Sequence, residues 1–262
     1  MLQFTVAVGI GVGGAIFVLK RRRSRKPSAR QREFISKQQG TMIPLSGYLV
    51  ESACYLLSNS LDERKQDVWR FSDNHPARFA PAVISTIVTA FDAWLNKLVG
   101  YSRSTISEDA IANLISREIP EKYREIGREI AGTSISVPSD LKLLHKLRHE
   151  IVHFLPYVQD ISSGKTLPDW LGELKKKRLL ITSGNPVAEF HFTQRLQSYA
   201  LAYWACETAG NAARTLATAM GGKGAAGHAA KMGADNFELY RQLTSPTGLG
   251  EFDERFGLIL SR

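Results

Sequence analysis

The sequence predicts an all-α fold: a bundle of four to five helices behind one N-terminal transmembrane helix. Three observations predict it. Apolar residues recur at helical spacing through most of residues 44–220. Helix starts and stops punctuate those stretches at plausible lengths. An uncharged run, Leu2–Leu19, leads directly into a dense block of cations.

Composition sets the outer limits. A chain of 262 residues, 44% apolar, holds one sizeable domain with appendages. The formal charge of +9 is concentrated. Lys20, Arg21, Arg22, Arg23, Arg25, Lys26, Arg30 and Arg32 occur with no acid among them. The remainder is near balance, which argues against a dedicated DNA-binding surface. Cys54 and Cys206 are far apart in sequence and form neither a metal-ligand pattern nor a disulfide framework.

As a helix, Leu2–Leu19 would extend ~27 Å, enough for a thin bilayer. The positive residues follow the apolar run, the reverse of a cleaved signal peptide. The positive-inside rule therefore places the N-terminus outside and the globular part in the cytoplasm. Gly9-x-x-x-Gly13 and Ala7-x-x-x-Gly11-x-x-x-Ala15 have two readings, ordinary membrane-helix glycines or a helix-pairing face. The Lys20–Lys26 block is suited to anionic lipid headgroups.

Residues 27–43, with Pro27 and Gly40, read as a linker. From Pro44 to about Arg70 the apolar residues Leu45, Leu49, Ala53, Leu56, Leu57 and Leu61 mark a first helix. PAVISTIVTAFDAWLNKLVGY carries the strongest stripe, with Gly100 as its expected stop. Ser107-Glu108-Asp109 supplies an N-cap and an acidic first turn. Pro120 interrupts that helix, and Glu121–Ala131 continues to Gly132. Pro138-Ser139-Asp140 starts LKLLHKLRHEIVHFL, which runs to Pro156. RLLIT and VAEFHF form a possible hairpin. A long helix is expected from about Thr193 to Met220. The Gly/Ala-rich stretch after it reads as a connector and lacks the spacing of a phosphate loop. The expected organisation is an anchor at 1–19, a basic juxtamembrane linker at 20–43, a helical domain at 44–220, and a connector with tail at 221–262.

The chemistry concentrates in LRHEIVHF, Leu147–Phe154. Stepping ~100° per residue puts Leu143, Leu144, Leu147, Ile151, Phe154 and Leu155 on one arc. His145, His149 and His153 fall opposite, with Lys142, Lys146 and Glu150. Arg148 lies at the margin of the apolar arc, ~140° from His153. Two readings compete.

His149-Glu150-Ile151-Val152-His153 matches H-E-x-x-H letter for letter. His149 and His153, one turn apart, could share a zinc ion, with Glu173 as third ligand and Glu150 activating water. Lys142 and Lys146 on the same face oppose a dication. Arg148 precedes the motif where an apolar or small residue suits such proteases. The helices before it leave no edge strand for a peptide.

The second reading starts from Arg148, a guanidinium at a core boundary that needs a partner. Asp92, at the margin of its own helix's stripe, is a candidate. An Asp92–Arg148 pair is equally readable as a purely structural ion pair. Arg148-His149-x-x-x-His153 within LRHEIVHFLP, the upstream ISTIVTAFDAWLNKL and the later LQSYALAYWACETA together resemble the HEPN superfamily across about residues 75–220. The resemblance implies a helical bundle that dimerises and brings two Arg-x4-6-His motifs to the shared interface. It implies a metal-independent endoribonuclease, of defence, toxin or RNA-processing type, or an inactive binding module. No cofactor is expected, and the partners are RNA and a second copy of the chain. Carried over, His153 is general base or acid toward the 2′-hydroxyl or leaving oxygen, and Arg148 holds the phosphate. His149 orients phosphate or assists proton transfer. Asp92 positions Arg148 or His153. The implied product is a 2′,3′-cyclic phosphate.

Overall fold

The computed structural model describes residues 45–65, 77–153, 169–181, 195–222 and 224–243. Nine helices are present among them: α1 Leu45–Lys65, α2 Ala80–Tyr101, α3 Glu108–Ile115, α4 Ile119–Glu129, α5 Ser139–Val152, α6 Asp169–Lys176, α7 Tyr199–Met220, α8 Gly224–Phe237 and α9 Leu239–Leu243. No strand occurs in the described residues. The expected N-terminal span, the basic linker and most of the possible hairpin lie outside them.

α2 is the hub. Its stripe, from Val83 and Ile84 through Phe91, Trp94 and Leu98, is buried. α1, α3, α4, α5, α7 and α8 all pack on it. By length and composition it is the one described helix able to cross a membrane. Its apolar surface is instead largely covered by these neighbours. The helix passes through Gly100, ends at Tyr101 and is capped at Ser102.

Local chemistry explains the remaining ends. Ser107 caps α3 by accepting from the Ala110 N–H at 3.3 Å, with Glu108 and Asp109 in the first turn. Pro120 lies in the first turn of α4, where its missing N–H costs no helical bond. Ser198 caps α7 through the Leu201 N–H, so this helix starts six residues later than its pattern suggests. Gly221 closes it in the left-handed conformation.

The largest correction concerns the described part of the expected connector and tail, residues 224–243. The expected Gly/Ala-rich connector contains α8, and α8 belongs to the core. Small residues let it approach closely. A Cβ on Gly233 would lie 2.0 Å from Trp94 Nε1. Phe237, 1% exposed, meets Phe91 and Trp94 at ring separations of 5.7 Å each. Tyr240 in α9 is also fully buried. The helical domain therefore extends beyond Met220 to at least Leu243.

Candidate functional site

α5 carries the motif. Leu141, Leu143, Leu144 and Leu147 are buried, as the helical arc requires. Ile151 is half-buried. The helix stops at Val152, short of the expected Pro156. His153 is its C-cap, at φ −105° and ψ 31°, and its N–H still donates to the His149 carbonyl at 2.9 Å.

His149 and His153 are exposed on one face, with ring centroids 4.6 Å apart. Arg148 is half-buried. Its Nε is enclosed and has no hydrogen-bond partner. A buried N–H left unpaired typically costs ~1–3 kcal/mol, so an acceptor reaching this group would bind favourably.

His145 was grouped with the exposed histidines on the helical wheel. In the structure it is half-buried and borders Val88, Phe91 and Leu144. Its Nε2 lies 3.6 Å from a Glu118 carboxylate oxygen at the α3–α4 junction. Burial lowers its pKa below the ordinary value. Glu118 opposes that shift, and Arg148 and His149 reinforce it. The hidden contact is tertiary: Glu118 comes from another part of the chain, and no helical period reveals it.

Asp92 does not pair with Arg148. It accepts from Lys122 Nζ at 2.6 Å. The same ammonium donates to Asn96 Oδ1 at 2.7 Å. Lys122 shares the inward arc of α4 with Ile119, Tyr123 and Ile126 and has only 2% of its side chain exposed. Cut off from water, it takes the acceptors that α2 presents. Asp92 thus belongs to a clasp between α2 and α4. The signal was present in the sequence, since Lys122 falls within an apolar stripe.

The alternative zinc set is not assembled. Among the described residues no three of His, Cys, Asp and Glu gather closely enough to hold a metal ion. Glu173 is exposed on α6. That helix's C-terminal end meets α5 through Lys177 and Asp140, at the end of α5 opposite His153.

The site is therefore an exposed imidazole pair beside a half-buried guanidinium, with a shielded third imidazole one turn earlier. Imidazoles are proton donors and acceptors, and a guanidinium can bind an anionic oxygen. No family model, no curated protein and no solved structure matches the chain.

Proposed function

We propose that the protein is a membrane-anchored, HEPN-like endoribonuclease that cleaves cytosolic RNA without a metal. The supporting observation is the end of α5: His149 and His153 are exposed with their rings in contact and tilted, and the same helix carries Arg148, whose Nε has no acceptor. His153 exchanges protons with the 2′-hydroxyl or the leaving oxygen. Arg148 neutralises the phosphate as charge builds in the transition state. His149, in contact with His153, holds phosphate or relays a proton. Asp92 has no part in this scheme, because Lys122 occupies it. A second protomer completes the site, since Arg148 and His153 diverge around the helix. The apolar run and basic block at the N-terminus tether the pair to the membrane and raise its local concentration.

The purified full chain should cleave RNA in the presence of EDTA, and His153→Ala should abolish cleavage without changing the melting temperature. Cleavage that needs a divalent ion, or survives the substitution, rejects the reading.

The fate of Asp92 supports a second reading. With that carboxylate committed to Lys122, the motif lacks the acid that the family resemblance implies. The domain would then be a non-catalytic module that dimerises and binds RNA or protein. Dimerisation without turnover on any RNA distinguishes it from the enzyme.

A further inference from the structure

Two enclosed nitrogens of α5 lack partners among the described residues, and they are chemically complementary. One is Arg148 Nε. The other is His145 Nδ1, three residues earlier on the same helix. Side chains at this spacing share a helix face, with Cβ atoms ~5–6 Å apart. The Arg148 charge is close enough to oppose protonation of the His145 ring.

The state of the His145 ring decides what Nδ1 can do. Only 21% of the side chain is exposed, and burial favours the uncharged form. Glu118, from the α3–α4 junction, lies 3.6 Å from Nε2. A carboxylate only accepts, so it selects the tautomer with the proton on Nε2. Nδ1 then carries a lone pair. Arg148 Nε–H can only donate. Buried polar groups are normally paired, and two orphans of opposite sense one turn apart satisfy each other by side-chain rotation. The space beside His145 holds no rival side chain, since Val88, Phe91, Ile119 and Ala209 border it with apolar groups. The charged and titratable groups that act on the ring are Glu118, Arg148 and His149.

We propose that His145 is the positioning residue for Arg148: its Nδ1 accepts from the Arg148 Nε–H while Glu118 holds the opposite edge of the ring. The bond leaves both terminal nitrogens of the guanidinium free for a phosphate. It fills the role expected of Asp92, which Lys122 occupies instead. The consequence for cleavage rests on the ribonuclease reading, and the bond itself does not.

Heteronuclear NMR of the isotopically labelled full chain, without RNA, tests the bond. The Arg148 Nε–H signal, assigned by its loss in Arg148→Lys, should exchange slowly with solvent. His145→Gln puts an amide near the Nε2 position and nothing at Nδ1. Exchange should then quicken about tenfold, the scale of one lost hydrogen bond to a charged group. His145→Asn puts an acceptor near the Nδ1 position and should restore slow exchange. RNA turnover by the folded fraction should follow the same order, falling in His145→Gln and recovering in His145→Asn. If the unaltered chain cleaves no RNA, the ribonuclease reading fails, and the exchange rates still decide the bond. If the variants fail to fold by circular dichroism, the ring-nitrogen spectrum of His145 in the unaltered chain decides. A proton on Nε2 supports the proposal, and a proton on Nδ1 overturns it. Arg148 exchange unchanged by His145→Gln overturns it too, as does unchanged turnover in a chain that cleaves RNA.

Discussion

His145 and Lys122 show how single side chains around the motif are committed. His145 is held mainly neutral by burial, with its pKa lowered. The unfolded chain therefore takes up a proton more readily than the folded one as pH falls below about 6.5. Stability is then fully present above that pH and declines as pH drops toward the folded-state pKa. His145→Gln should flatten this part of the dependence. Thermal melts of both proteins between about pH 7 and 5 check it. An identical slope in the variant would show that Glu118 compensates fully. Lys122→Met should cost about 2 kcal/mol, because it leaves Asp92 and Asn96 without their shared donor. Denaturant unfolding measures that loss. If Asp92 served the chemistry, Asp92→Asn would reduce turnover beyond its effect on stability. A role confined to the α2–α4 clasp leaves RNA turnover by the folded fraction unchanged.

Among the helices, periodicity exposed most of the fold and missed where small residues matter. The α2 stripe and the Ser107 cap were legible because each has a local cause, whereas Pro120, read as interrupting one helix, lies in the first turn of a separate one. α8 was not. GAAGHAAKMGADNF contains few large apolar residues, and its glycines suggest a loop. Packing overrides that propensity, because only a residue without a side chain fits against the Trp94 indole. Gly233→Ala places a methyl inside the van der Waals radius of Trp94 Nε1. It should destabilise the protein by about 3 kcal/mol despite alanine's higher helix propensity. A gain in melting temperature would contradict the packing.

For the molecule as a whole, the domain closes only with its C-terminal helices in place. Removing residues 221–262 strips Phe237 from the Phe91–Trp94 cluster and Tyr240 from the core. The truncated chain should lose cooperative unfolding in circular dichroism, whereas a true connector would be dispensable. The same enclosure shields both cysteines. Burial pushes the Cys54 thiol up to about 12 and raises Cys206 as well. Neither should react with a thiol reagent until the protein unfolds.

The motif itself was legible in sequence, including the shared face of His149 and His153. Its surroundings were not, since partner choice by Asp92 and shielding of His145 depend on contacts between distant segments. The most direct test is the chemistry of RNA ends produced by the folded full chain in chelator. The account predicts 2′,3′-cyclic phosphates opposite 5′-hydroxyls, absent with His153→Ala and with Arg148→Ala. Ends bearing 5′-phosphates, or identical ends from the His153 variant, would contradict it.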